Sequence, residues 1–147
     1  MLRLNEDHVH LMKEQTQKAF PNEACGFLLG TTSDDGAMHV SKVVACDNTS
    51  SMPVQRFELD SELHLRLQRE AREQGQDILG CYHSHPKGPA RPSLEDLSRA
   101  VMPEWVWVIW GQVEDRPFGM RAFVLEHPET AAKRFVPLAV SVDTLVI

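Results

Sequence analysis

No stretch of this sequence stays apolar for anything near the roughly 20 residues a membrane-spanning helix requires, so no membrane span is expected. The first residues, Met1 to Asp7, turn charged at once and lack the apolar centre of a secretory signal, which predicts a cytoplasmic protein. Cysteine is scarce. Cys25, Cys46 and Cys81 are widely spaced and odd in number, which argues against a disulfide framework. Basic residues are outnumbered, 15 Lys and Arg against 21 Asp and Glu. The formal net charge of −6 argues against a general nucleic-acid binder, which needs a basic face to displace phosphate counterions. Internal repeats and low-complexity tracts are absent as well.

What is present is the composition of a globular protein. The chain has 147 residues, 42% hydrophobic and 24% charged, which predicts one domain over residues 1–147 with a real core. Residues 6 to about 19 read as a helix, with Asn5 as N-cap and Val9, Met12, Ala19 and Phe20 on its buried side, stopped by Pro21. Gly26 to Gly30 reads as a buried strand. A polar turn at residues 33–36 then leads into a strand from Met38 to Cys46. A short strand is expected at Arg56 to Leu59. Ser61 to Gln74 follows as the clearest helix, with Leu63, Leu67 and Ala71 at helical spacing and Gly75 closing it. Strands at Asp77–His85, Glu104–Trp110 and Pro117–Glu126, a short helix from Ser93 to about Val101, and at least one strand between Phe135 and Ile147 complete the reading. The irregular alternation predicts an α/β or α+β fold, a single mixed sheet covered by helices.

The chemistry concentrates in the stretch from His83 to Asp96. On a strand, residues i and i+2 point the same way, so His83 and His85 can converge on one metal ion. Pro86 and Pro92 stiffen the connection, and Gly88 is expected to let it turn. Asp96 falls in the first turn of the next helix, where an ordered backbone can present a carboxylate. Two imidazoles and a carboxylate suit Zn²⁺ with its fourth position open to water, whose proton the metal would make easy to lose. An H-x-H pair alone is weak evidence: His8 and His10 share the spacing, but on a helix they do not share a face, and both are expected in solvent. Ser93-x-x-Asp96 alone would read as a helix cap, a role compatible with metal binding. The combination of strand, H-x-H, stiff loop, helix start and carboxylate carries the metal reading. Such a site also needs a base. Glu95 turns about 100° from Asp96 and is expected in solvent. Glu23, at a helix-to-strand junction, is the better candidate.

Taken together, Glu23 ahead of the glycine-bounded segment Gly26–Gly30, then His83-Ser84-His85-Pro86, then Ser93-Leu94-Glu95-Asp96 with ten residues between His85 and Asp96, resembles the JAMM (JAB/MPN-domain) zinc metalloproteases. The resemblance covers about residues 1–125, is to the compact stand-alone bacterial type, and implies a strongly twisted sheet in a cytidine-deaminase-like fold. It implies that His83, His85 and Asp96 bind one zinc ion, that Glu23 is general base, and that Ser93 donates a hydrogen bond to the oxyanion. The expected substrate is a ubiquitin-like or sulfur-carrier protein, cut at a peptide or isopeptide bond after its C-terminal Gly-Gly. The oligomeric state stays open between monomer and homodimer. Two rival readings keep parts of the motif: a RadC-like metal-binding protein, which shares the H-x-H-P…Pro-Ser-x-x-Asp run, and a non-catalytic MPN scaffold.

The remaining candidates carry bland readings. Trp105, Trp107 and Trp110 are expected to pack rather than bind a ligand. Cys25 and Cys81 lie in apolar strand contexts, where an inert thiol is expected. Lys87 and Arg91 belong to a solvated loop, and His39, His64 and His127 are assigned structural roles.

Overall fold

In the computed structural model, which describes residues 1–144, alternating apolar residues at the very start of the chain set the first element. Leu2 and Leu4 are fully buried on either side of half-buried Arg3, and this makes β1 (Leu2–Asn5) a strand that the sequence reading missed. α1 (Glu6–Ala19) follows with the expected Asn5 cap. His8 completes that cap, its Nδ1 accepting from the Asn5 N–H at 3.2 Å, so of the two N-terminal histidines only His10 is left in solvent. α1 buries Met12 and Thr16, whereas Phe20, expected inside, is exposed, because the chain has already left the helix at that residue.

β2 (Cys25–Thr32) and β3 (Met38–Cys46) form the expected antiparallel hairpin. The strand expected at residues 56–59 is not formed. Residues 47–60 are irregular, and the Asn48 side chain bonds four of their backbone groups, those of Ser50, Pro53, Arg56 and Glu58. α2 (Ser61–Glu73) starts on the Asp60 side chain and ends before Gly75, whose φ of +69° is the left-handed conformation glycine adopts without strain. β4 (Asp77–Pro89) runs four residues beyond His85. α3 (Leu94–Arg99), β5 (Val106–Val113) and β6 (Arg116–Glu126) come next, with Glu104 in a turn rather than in β5. The tail supplies two strands, β7 (Arg134–Leu138) and β8 (Val140–Asp143), while residues 145–147 lie outside the described part.

All eight strands join one mixed sheet, ordered β7-β6-β5-β4-β2-β3-β1-β8. β4·β5, β1·β3 and β1·β8 pair parallel, the rest antiparallel. Each face has its own core. One cluster, containing Leu2, Leu4, Met12, Leu28, Tyr82, Val106, Val108 and Trp110, packs under α1. The other, containing Cys25, Phe27, Leu67, Ala71, Cys81, Trp105 and Trp107, packs under α2. All three tryptophans are buried, as expected of packing residues. No helix among the described residues is long and apolar enough to cross a membrane.

Candidate metal centre

Strand parity places the site. Cys81 and His83 lie on the α2 face of β4, and His85 continues that row. Across the ladder Cys25 pairs with His83 at the end of an antiparallel register, and Glu23, two residues ahead of the strand, has its carboxylate near both histidines. α3 then brings Asp96 over the same point. Its cap is reciprocal: Ser93 Oγ accepts the Asp96 N–H at 3.0 Å, and Asp96 Oδ2 accepts the Ser93 N–H at 2.9 Å.

His83 Nε2, His85 Nε2 and Asp96 Oδ2 converge. The two nitrogens are 3.0 Å apart, and the oxygen lies 3.2 Å from the first and 3.1 Å from the second. Zinc–nitrogen bonds of about 2.0–2.1 Å at tetrahedral angles span a triangle with edges of about 3.3 Å, so these three atoms are spaced as one face of such a shell. Glu23 offers a further carboxylate oxygen within 4.8 Å of ligand atoms on both histidines. It is buried, and its Oε1 has no hydrogen-bond partner among the described residues. An unspent acceptor in a buried position is what a group awaiting a water or a cation leaves behind.

Burial and the shared carboxylate of Asp96 set the protonation of the site. Burial pushes Glu23 up to about 7, partly offset by His85 and reinforced by Asp96. Burial also pushes Asp96 up, but hydrogen bonds from His83 and His85 outweigh it and hold the carboxyl well below the usual carboxylate range. Burial lowers His83 and so favours the neutral ring a metal needs. His85 is lowered by burial, yet its hydrogen bonds to Asp96 and Pro89 win and leave it raised. The His85 Nδ1–H donates to the Pro89 carbonyl at 2.9 Å, which fixes the ring's orientation and turns Nε2 toward Asp96 and the centre.

Three neighbours were not foreseen. Phe57 stacks on the His83 ring. Ser84, buried between the two histidines but on the other face, accepts the Ala24 N–H at 2.8 Å and donates its own N–H to the Ala24 carbonyl at 3.1 Å. Asn48 donates to the Glu23 carbonyl at 3.0 Å. Ser84 was in view as the middle of H-x-H, whereas nothing in local periodicity marks Asn48 or Phe57.

Gly88 has no left-handed backbone, so the expected glycine-driven turn is absent and β4 continues to Pro89 instead. Glu95 is not free in solvent. It is half-buried and pairs with Arg56 at 3.3 Å and Arg99 at 3.7 Å. Beside Asp96 this rim borders a largely apolar recess of about 250 Å³, walled by Phe57, Leu59, Val101, Trp105 and Trp107. Cys25, Cys46 and Cys81 are buried and unpaired. Burial drives the Cys81 thiol up, which makes it a poor nucleophile. Lys87 and Arg91 are exposed. His64 packs against Phe27 and Trp105, His39 against Ser33, and His127 sits in a turn.

The chain has relatives among known proteins. A desampylase of Haloferax volcanii is 35% identical over 89 residues, which are 60% of this chain and 62% of that protein, so the match spans less than two thirds of that relative's length. A probable TtuB-protein conjugate cleaving protease of Thermus thermophilus is 30% identical over 131 residues, 88% of this chain and 76% of the relative. A CysO-cysteine peptidase of Mycobacterium tuberculosis is 24% identical over 141 residues, covering 92% and 94%. The solution structure of protein DSY2949 from Desulfitobacterium hafniense superposes with a TM-score of 0.84 at 27% identity, over 99% of this chain and 95% of that one. The family model for prokaryotic homologs of the JAB domain matches residues 5–126, and with the sheet and the converging donors in view, the chain belongs to that family.

Proposed function

We propose that this protein is a zinc metallopeptidase that hydrolyses the peptide or isopeptide bond after the C-terminal Gly-Gly of a ubiquitin-like or sulfur-carrier protein. The observation that carries the chemistry is the triangle of His83, His85 and Asp96 donors beside the unpartnered buried carboxylate of Glu23. The substrate class rests on the relatives, whose names describe cleavage of such conjugates. Three unpaired thiols suit the reducing cytoplasm.

His83, His85 and Asp96 would hold the metal. Zinc there supplies a Lewis acid that polarises the scissile carbonyl and makes a water proton easier to lose. Glu23, poised near 7 by burial, takes that proton on Oε1 and returns it to the departing amine. Ser93 Oγ already accepts from Asp96 N–H, so its own O–H is free to donate to the oxyanion that forms on the carbonyl. The backbone N–H of Ser93 and the carbonyl of Pro89 hold Asp96 and His85 in their ligand orientations. A substrate tail lying in the apolar recess beside Asp96 would be shielded from water.

The test pairs metal content with cleavage of a sulfur-carrier fusion bearing a C-terminal extension. Glu23→Gln should keep zinc and lose cleavage, and His85→Ala should lose both. Full cleavage by Glu23→Gln would remove Glu23 from the mechanism. Wild type that binds no zinc would favour the scaffold reading.

A further inference from the structure

Asn48, which lies outside every motif of the site, spends all of its hydrogen-bonding capacity on the segment that reaches Glu23. Its Nδ2 donates to the carbonyls of Glu23 at 3.0 Å and Arg56 at 3.1 Å, with that of Pro53 at 3.4 Å. Its Oδ1 accepts the N–H groups of Ser50 at 3.0 Å and Glu58 at 3.1 Å. Two donors and two lone pairs are all an amide owns, and three carbonyls on one side with two N–H groups on the other fix which way it faces. The Pro53 carbonyl in turn accepts the Glu23 N–H at 2.8 Å.

Both backbone groups of Glu23 are therefore held by the irregular segment 47–60, not by a strand. One residue later the support changes hands, and both backbone groups of Ala24 are held by Ser84, between the two histidines. The same segment carries Phe57, the ring stacked on His83, and the Asn48 contact to Glu58 N–H fastens the chain just after it. One amide side chain thus fixes two distances at once, from Glu23 to the histidines and from Phe57 to His83.

We propose that Asn48 is a positioning residue for the reaction, setting Glu23 at its working distance from the metal centre through the Glu23 carbonyl and through the loop that receives the Glu23 N–H. The role rests on the peptidase reading above. It is a geometric role, since Asn48 touches neither substrate nor metal ligands. Catalysis tolerates little error in the placement of a base, whereas binding of a long substrate tail is spread over many contacts and should not notice.

Asn48→Asp is the informative variant, because it keeps the shape and the acceptor oxygen and turns the donor to three carbonyls into a second oxygen. Asn48→Ala removes both halves. Each variant is compared with wild type, at temperatures well below its melting point, for zinc content, for kcat and KM on the carrier fusion, and for amide hydrogen exchange. The expected result for both is kcat down roughly 10–100-fold per zinc-loaded molecule with KM unchanged. The Glu23 amide should exchange faster in both, and the Glu58 amide faster in Asn48→Ala, while the Ala24 and Ser84 amides keep their protection. A merely structural asparagine would lower the melting temperature and leave kcat alone, and that outcome overturns the proposal. Equal exchange at Glu23 in wild type and Asn48→Asp also overturns it. Should wild type with full zinc cleave no carrier extension, the peptidase reading fails and takes this role with it. A cleaving wild type matched by Asn48→Asp sinks this role alone.

Discussion

Phe57 lies nearly flat against the imidazole of His83, ring centroids 4.2 Å apart and planes 21° from parallel. Trp107 stands edge-on to both rings, at 5.6 Å from each. His83 is fully buried, and its Nδ1 has no hydrogen-bond partner among the described residues, so packing replaces the outer hydrogen bond that usually orients such a ring. Phe57→Ala should therefore do two things. It should lower the stability of the metal-free protein by about 3 kcal/mol, the low end for losing a buried Phe. It should also weaken zinc binding by roughly tenfold, as loss of an orienting neighbour does. Urea melts and a competitive zinc titration read the two effects. Unchanged zinc affinity would mean that His83 is held by its strand alone.

The sequence pattern and the structure part where order is non-local. Helix and hairpin boundaries followed from caps and turns at Asn5, residues 33–36 and Gly75, because those signals are local. β1 escaped notice because four residues, Leu2 to Asn5, are too few for alternation to register, and its strand exists only because β3 and β8 flank it. Residues 56–59 have strand-like side chains, but the adjacent backbone bonds to Asn48 instead of to a ladder. In the site, the spacing of His83, His85 and Asp96 is written in strand and helix periods. Glu23 is not, since its place beside the histidines depends on the β2–β4 pairing that ends at Cys25 and on the irregular segment that holds its backbone, neither of which any stretch of sequence states.

Ser93 combines a cap with a proposed catalytic donor, and the two can be separated. Glycine is nearly as good an N-cap as serine, within a few tenths of a kcal/mol, while alanine costs about 1 kcal/mol. The Asp96 contact to the Ser93 backbone N–H survives either change. Ser93→Gly should thus keep its melting temperature and its zinc but lose about a hundredfold in kcat. Ser93→Ala should match that rate loss and melt lower, and Ser93→Thr should retain most activity. Wild-type kcat in Ser93→Gly would reduce Ser93 to a cap.

Gly80 sits where the backbone of β5 comes close against β4. A Cβ built there would lie 1.9 Å from the Val106 carbonyl oxygen and 2.7 Å from its nitrogen, both atoms of the paired neighbouring strand. Backbone in a central ladder cannot swing aside as a side-chain tip can. Gly80→Ala should cost about 3 kcal/mol or more and loosen the strand that presents His83. Gly88 is the control, since its Cβ would meet nothing closer than the His85 Cβ at 3.7 Å. Gly88→Ala should melt as wild type does. Thermal melts of the two variants side by side decide the matter, and equal melting temperatures would contradict the close approach of β4 and β5.

Burial of Glu23 also makes a prediction about pH in the metal-free protein. The carboxyl moves from an ordinary 4.5 up to about 7 on folding. Between those values the folded chain keeps a proton that the unfolded chain has released, so stability must fall as pH rises through that window. The full loss, reached above pH 7, amounts to about 3 kcal/mol. Below pH 4.5 both states are protonated and the loss vanishes. Glu23→Gln cannot ionise and escapes it. The stability of Glu23→Gln relative to wild type, from urea melts of metal-stripped protein, should accordingly climb from pH 4.5 to 8 by about 3 kcal/mol. Parallel curves across that range would show that Glu23 is solvated in the folded state and not held as a buried base.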